Sequence, residues 1–169
     1  MIDLNAIEKA AETLFNSKRV FILGLGSSQA ISMDLQHKLL RLGILAIYQP
    51  DIHIQRILIS NQASPDDTIF AVSHSGSSKD VLENAMIGKE KGAKIIALTG
   101  YGKSPLSKMA DIHLYSFSEE IKHSLVAMSS RIAAIAIIDV LHSIISNRHK
   151  DFAVEHFENV NIKMASLKT

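Results

Sequence analysis

Residues 73–78, SHSGSS, contain four serines, one histidine and one glycine, and they directly follow the apolar run TIFAV. Such a run is typical of a buried strand, so the polar residues fall where a strand ends and a helix begins. Backbone amides are unpaired at a helix N-terminus, and serine hydroxyls add donors that can turn toward a tetrahedral anion. The segment therefore predicts a phosphate-binding loop that uses no lysine and no metal ion.

Two further loops share this composition. GLGSS at residues 24–28 and LTGYGKS at residues 98–104 also end apolar runs and are rich in glycine and hydroxyl groups. Glycine at positions 24, 26 and 76 lets the backbone approach an anion closely. Because ligands of open parallel sheets bind beyond the carboxyl ends of the strands, we expect these loops to share one site.

Helix capping is the alternative explanation for the serines. Ser77 and Asp80 have the spacing of a capping box, and a serine at such a turn also stabilises a helix N-terminus. Capping accounts readily for one serine and poorly for all of them.

Nucleotide chemistry fits the loops less well. Gly24 and Gly26 match the first two glycines of a dinucleotide fingerprint, but Gln29 stands in place of the third. Gly102 follows Gly100 too closely for the loop of a nucleoside triphosphatase. The pattern therefore favours a phosphate group over NAD or a nucleoside triphosphate, and no cofactor or metal ion is expected.

Composition indicates one globular domain in a reducing compartment. The chain has 169 residues, of which 47% are hydrophobic. Its 18 basic and 17 acidic residues are spread evenly, so this stretch carries no basic stripe for nucleic acid or membrane lipid. There is no cysteine, which excludes disulfides and thiolate catalysis. The N-terminus lacks the features of a signal peptide, and the most apolar stretch, IAAIAIIDVLHSII, is too short for a membrane span. We expect a cytoplasmic protein.

The elements that must position these loops alternate in type. Five apolar runs, RVFILG, ILAIYQ, TIFAVS, AKIIALTG and DIHLYS, alternate with helical patterns. Parallel strands need such crossover helices, so the sequence predicts an α/β fold: a three-layer, doubly wound, five-stranded parallel sheet of flavodoxin-like type. Asn5 and Glu8 have capping-box spacing in a first helix, and a long apolar helix runs from about Ser124 to about Asn147.

The last segment predicts a helix with one apolar stripe. That stripe comprises Ala153, Phe157, Val160, Met164 and Leu167. Either a partner subunit covers it or the helix folds back on its own domain.

Ordered motifs carry a resemblance to a known family. They are GLGSSQA, then SHSGSSKDVLENA before KGAKIIALTG, then SPLSKMADIHL, then SSRIAAIAIIDVL. Over roughly residues 3–149 the chain resembles the sugar isomerase (SIS) domain, most closely the version at the C-terminus of RpiR-type transcriptional regulators.

The resemblance implies a domain that senses a phosphorylated sugar. In such regulators the ligand controls DNA binding by a separate N-terminal helix-turn-helix domain, which is not among these 169 residues. We expect residues 1–18 to form a linker or packing helix, 19–149 the phosphosugar-binding domain, and 150–169 a C-terminal helix for which a subunit interface is one candidate position. Homodimers and homotetramers both fit.

The resemblance also implies the contacts with the ligand. The residues implied to bind its phosphate are Ser73, His74, Ser75, Gly76 and Ser78. Those implied to contact the sugar or its phosphate are Gly26, Ser27, Ser28, Thr99 and Glu120.

A phosphosugar isomerase is the alternative to a sensor. Aldose–ketose isomerisation needs a base to move a proton between adjacent carbons and an acid to open the ring. Related isomerases place a catalytic glutamate near SEEIKH, which makes Glu119 or Glu120 the candidate base and His123 or His53 the candidate ring-opening group. An acidic residue before a helix is also a common dipole partner, and a sensor needs no base, so we expect a non-enzymatic domain.

Overall fold

The computed structural model describes residues 3–117 and 129–165, in which seven helices and five strands follow one another. In chain order they are α1 Leu4–Phe15, β1 Val20–Gly24, α2 Ser28–Arg41, β2 Ala46–Tyr48, α3 Ile52–Gln62, β3 Thr68–Val72, α4 Lys79–Glu90, β4 Lys94–Gly100, α5 Pro105–Met109, β5 Ile112–Ser116, α6 Ser129–Arg148 and α7 Lys150–Ala165.

The five strands form one sheet in the order β2-β1-β3-β4-β5, and every pair is parallel. Val20 of β1 pairs with Ala46 on one side and Thr68 on the other. This order confirms the predicted flavodoxin-like α/β fold. Because the chain moves outward from β1 in one direction and from β3 in the other, the carboxyl ends of β1 and β3 flank the topological switch point.

Helices cover both faces of the sheet, so β1 and β3 are buried along their whole length. Alternate strand residues therefore enter separate cores. The core beneath α1, α2, α6 and α7 includes Ile22, Phe70, Ile96 and Leu114. The core beneath α3, α4 and α5 includes Phe21, Leu23, Ile69 and Ile95. These layers confirm the predicted three-layer arrangement.

Helix α6 is long and apolar enough, by length and composition alone, to cross a membrane, with a mean hydropathy of 1.4. In the structure it packs along the sheet instead. Its side chains buried in the core are Ala134, Ile137, Ile138, Leu141 and Ile145. The predicted start of this helix near Ser124 lies outside the described residues.

Two predicted helix caps are wrong. Asp3, not Asn5, caps α1, because its extended backbone lets the carboxylate accept a bond of 3.1 Å from the Ala6 amide. Ser78, not Ser77, begins α4, and the Ser77 hydroxyl donates instead to the carbonyl of Ser75 at 3.2 Å. Spacing alone therefore missed both starts.

Helix α7 folds back on its own domain at its first turns. Ala153 is buried, and the Arg41 guanidinium of α2 lies 4.7 Å from the ring centre of Phe157. The far end of the stripe is open, since Met164 remains 59% exposed. Leu167, the last predicted member, lies outside the described residues.

Candidate functional site

The loops after β1 and β3 meet at the switch point and line one cleft. It has an open part of about 260 Å³ and a narrow inner part of about 20 Å³. Both parts are lined by Ser27, Ser28, Val72 and His74. The open part adds Leu25, Ser73, Ser75, Ser78 and Val81. The inner part adds Ile31, Leu98, Thr99, Ser116, Ser130, Arg131 and Ala134.

Gly76 sets the path of the β3–α4 loop. Its φ is +58°, in the left-handed region that favours glycine, and its amide donates to the Ser73 carbonyl at 2.9 Å. A Cβ at this position would lie 2.1 Å from the Ser104 Oγ. The Gly76 carbonyl accepts a bond of 3.0 Å from the Leu106 amide of α5. No other residue type fits this turn without displacing its neighbours.

The N-terminus of α4 faces this loop without a side-chain cap. Leu82 donates the first bond of the helix to the Ser78 carbonyl at 3.0 Å, so the amides of residues 79–81 stand at the open end. Within the described residues, the Ser78 side chain makes no capping bond to them. These amides and the Ser78 hydroxyl are therefore donors suited to an anion.

The N-terminus of α2 also has serines and, within the described part of the chain, no side-chain cap, although the amides of Ser28 and Gln29 donate to the carbonyls of Leu25 and Gly26 at 3.1 and 3.2 Å. Ser27 begins the helix and, among the residues described here, its hydroxyl caps no amide. Ser28 is 7% exposed and lines both parts of the cleft. The helices α2 and α4, which follow the neighbouring strands β1 and β3, therefore both place a serine-containing N-terminus at the same cleft.

Thr99 and Ser116 form the polar inner wall. The Thr99 Oγ1 donates to the Gly100 carbonyl at 2.8 Å and lies 2.8 Å from the His113 Nε2. The Ser116 hydroxyl donates to the Thr99 carbonyl at 3.3 Å. Burial lowers the pKa of His113, so its ring is neutral near neutral pH. The Thr99 hydroxyl is thus engaged by protein groups.

Charge distinguishes this cleft from the other large cavity, which has about 280 Å³ at the amino edge of the sheet. The charged residues that line that cavity are three acids, Glu12, Asp66 and Asp67, and one base, Lys94, so its net negative charge disfavours a phosphate. The carboxyl-edge cleft is lined by Arg131 and by no acidic residue among those described. Over residues 3–117 and 129–165, no group of three or more His, Asp or Glu residues is arranged to hold a metal ion.

The structure brings most of the predicted ligand residues together. Those lining the cleft are Ser27, Ser28, Ser73, His74, Ser75, Ser78 and Thr99. Gly26 and Gly76 lie in the loops that carry them. His53 is exposed in the first turn of α3 and lines neither part of the cleft. Glu119, Glu120 and His123 lie outside the described residues.

Sequence reasoning missed the floor and part of the inner wall. Ile31, Leu98 and Ala134 supply the apolar floor, and Ser116 adds a buried hydroxyl at the end of β5. The rule that ligands bind at strand carboxyl ends could have predicted Ser116, because it is the last residue of β5. No such rule predicts the floor residues, because in the sequence they cannot be distinguished from ordinary apolar core positions.

Comparison with known proteins relates the chain to one family. The family model described as the SIS domain matches residues 13–144. An uncharacterized HTH-type transcriptional regulator of Caldanaerobacter subterraneus, TTE0211, is 37% identical over 160 residues, covering 94% of this chain and 56% of the relative. The HTH-type transcriptional regulator HexR of Escherichia coli is 34% identical, over 83% of this chain and 48% of the relative. The chain thus spans about half the length of these relatives.

Solved structures agree in fold. The Vibrio vulnificus NanR protein complexed with ManNAc-6P superposes with a TM-score of 0.91 at 25% identity, covering 99% of this chain and 62% of that one. The sugar isomerase domain of an RpiR transcription factor from Sphaerobacter thermophilus gives 0.82 at 26% identity, covering 95% and 87%. A phosphoheptose isomerase from Francisella tularensis gives 0.73 at 25% identity, covering 85% and 86%.

Proposed function

Because the chain belongs to the SIS domain family, we propose that it is the phosphosugar-sensing part of an RpiR-type transcriptional regulator. Its relatives from C. subterraneus and E. coli are named HTH-type regulators, and the chain matches about half of each. The DNA-binding function then belongs to a segment outside these residues. A cytoplasmic location and a homodimer or homotetramer are part of the same proposal.

The single observation that carries the proposal is the meeting of two helix N-termini without side-chain caps at the switch point, among the residues that the structure describes. Ser73, Ser75 and Ser78 with the amides of α4 bind the phosphate. Ser27 and Ser28 of the other loop contact the sugar or its phosphate, with His74 beside them. The ManNAc-6P complex of NanR supports a phosphosugar as the class of ligand.

Sensing needs differential binding and no chemistry. A ligand shifts the equilibrium between two arrangements of a regulator by the ratio of its affinities for them. A factor of about 100 in affinity is a coupling of about 3 kcal/mol, which is a usual size for allosteric control. The described cleft offers donors for binding a phosphate, and a sensor requires no catalytic base in addition to them.

A phosphosugar isomerase is the second candidate. The likeness to a phosphoheptose isomerase favours it, as do Glu119 and Glu120 in the sequence between β5 and α6. One of these carboxylates would be the base, and His123 or His53 the ring-opening group. The two candidates share the phosphate site and differ in the need for a base.

The deciding experiment is calorimetric titration of the chain with a panel of sugar phosphates, followed by NMR analysis of each mixture for isomers. We expect one or more ligands to bind without conversion. Conversion that is lost in Glu119→Gln or Glu120→Gln would establish the isomerase instead. Failure of every sugar phosphate to bind would reject both candidates.

A pair of variants in one loop tests the phosphate site. Ser75→Ala removes a hydroxyl from the cleft, and we expect affinity for the bound sugar phosphate to fall about tenfold to a hundredfold, the value of a hydrogen bond to a charged group. Ser77→Ala is the matched control, because its hydroxyl donates to the Ser75 carbonyl and does not line the cleft. Equal losses in the two variants would contradict the assignment.

A further inference from the structure

His113 lies one layer behind the cleft, on the edge strand β5. It lines neither part of the cleft but faces a separate small cavity together with Asp3 and Ile7 of α1. Its Nε2 is 2.8 Å from the Oγ1 of Thr99, which is 2% exposed. Since the single proton of that hydroxyl goes to the Gly100 carbonyl, the oxygen accepts from the Nε2–H of His113.

The methyl group of Thr99 points the other way, toward the phosphate loop. Its Cγ2 lies 3.3 Å from the position that a Cβ would occupy on Gly76. A threonine has few χ1 rotamers, so a hydroxyl held on one side fixes the methyl group on the other. The loop is also tied to the end of β4, where the Gly100 amide donates to the His74 carbonyl at 2.8 Å. Thr99 therefore supports the turn at Gly76 from behind.

We propose that His113 is a positioning residue for the phosphate loop, acting through the rotamer of Thr99 on the turn at Gly76. It touches no ligand, and its effect on affinity rests on the proposed function of the loop. Without the bond to His113, Oγ1 keeps only its bond to the Gly100 carbonyl, so the rotamer of Thr99 is held less firmly and its methyl group can move away from Gly76. In the free protein, the hydrogen-bond donors of the phosphate loop are then less ordered. Affinity for phosphate falls because binding must order the loop at a cost in conformational entropy.

The test is a double-mutant cycle read out by NMR titration with inorganic phosphate. His113→Leu removes the donor, and Thr99→Val removes the acceptor while keeping the shape. We expect each to weaken phosphate binding about threefold to tenfold, the value of one neutral hydrogen bond. The double variant should be no weaker than Thr99→Val alone, because that variant already breaks the bond to His113 together with the bond to the Gly100 carbonyl. Additive losses, or wild-type affinity in the single variants, would overturn the proposal.

Two further variants separate positioning from general packing. His113→Gln retains an N–H donor and should restore much of the affinity. His142→Leu is the matched control, because His142 is also half-buried, with a pKa that burial lowers, and lines no part of the cleft. Thr99→Ser keeps the hydroxyl but removes the methyl group, and should weaken binding although the bond to His113 remains. Wild-type binding by Thr99→Ser would contradict the role of the methyl group.

A measurement without ligand keeps this proposal distinct from the proposed function. Hydrogen exchange at the Gly76 amide, which donates to Ser73, reports the order of the turn directly. We expect faster exchange in His113→Leu and Thr99→Val, but not in His142→Leu. If wild-type protein binds no phosphate while exchange changes as expected, the proposed function fails and the positioning role stands. Unchanged exchange in both variants rejects the positioning role whatever the binding result.

Discussion

At the amino edge of the sheet, Asp67 accepts bonds from the Arg19 Nε at 2.9 Å and from the Ser64 amide at 2.8 Å. At the carboxyl edge, the serines that begin α2 and α4 make no capping bond within the described ranges. Asp67 is thus paired within the protein at one edge, whereas Ser27 and Ser78 make no capping bond to any described residue at the other. Buried groups that are paired stabilise the fold, whereas open donors are available to a ligand.

Helix α5 provides a comparison within the carboxyl edge itself. Its first residue follows Ser104, whose hydroxyl accepts from the Ser107 amide at 3.1 Å, while the Ser107 hydroxyl accepts from the Ser104 amide at 2.8 Å. This is a complete capping box. A serine before a helix therefore does not by itself mark a ligand site. The difference between Ser78 and Ser104 lies in whether the hydroxyl already has a backbone partner.

The largest expected effect is on the paired edge. Asp67→Asn leaves the Arg19 guanidinium without its carboxylate, and we expect a loss of about 3 kcal/mol in the free energy of unfolding, as for broken buried ion pairs. Phosphate affinity should not change, because the site is at the opposite edge. Urea denaturation and phosphate titration measure the two quantities. Asp66→Asn, next in sequence and exposed, is the control, and an equal loss there would remove the contrast between the edges.

The same carboxylate predicts a dependence on pH. Burial would raise the pKa of Asp67, but hydrogen bonds from Arg19 and Ser64 outweigh it and hold the pKa below the ordinary value. A lowered pKa in the folded state stabilises the protein above the unfolded value of about 3.9 and loses that contribution as pH falls through the folded pKa. The stability gap between wild type and Asp67→Asn should therefore narrow below about pH 4. A gap that stays constant would contradict the ion pair as its source.

An intermediate effect is expected at the turn of the open edge. Gly76→Ala must hold an alanine at φ +58° and place its Cβ against Ser104, so we expect a loss of about 2 to 3 kcal/mol in unfolding free energy together with loss of phosphate binding. Gly26→Ala is the matched control. Gly26 has a φ of +56°, but a Cβ there meets nothing within 4 Å. Gly26→Ala should lower the free energy of unfolding by about 1 kcal/mol, because it carries only the cost of placing an alanine in the left-handed backbone region. Equal losses of unfolding free energy in Gly76→Ala and Gly26→Ala would show that the contact with Ser104 is unimportant.

Regular structure and the location of the site were predictable because both follow from repeated patterns. Alternating apolar runs and helices specify a parallel sheet, and that sheet brings the loops after β1 and β3 together. Caps were not predictable, because Ser77 with Asp80 and Ser104 with Ser107 have the same spacing, and the latter pair forms the box. The choice depends on the path of the loop, which Gly76 sets.

The bond between His113 and Thr99 shows a second limit. His113 stands beside Ala97 in the register of β4 and β5, and Thr99 stands beside Tyr115. The two residues are diagonal neighbours, a relation that depends on strand register and on side-chain rotamers. A single sequence specifies neither directly. From the sequence alone, His113 could therefore not be distinguished from an ordinary strand residue.

The smallest expected effect is also the closest test of the contrast between the two kinds of serine. Ser104→Ala removes a formed cap and should lower the free energy of unfolding by about 1 kcal/mol. Ser78→Ala removes a hydroxyl that makes no capping bond within the described residues, so the unfolding free energy should stay within about 0.5 kcal/mol of wild type while phosphate affinity falls about tenfold. Thermal denaturation and phosphate titration of both variants measure the two effects. If Ser78→Ala has a lower free energy of unfolding and unchanged affinity for phosphate, then Ser78 is a capping residue like Ser104. The contrast between the two serines would then no longer support a ligand site at the carboxyl edge.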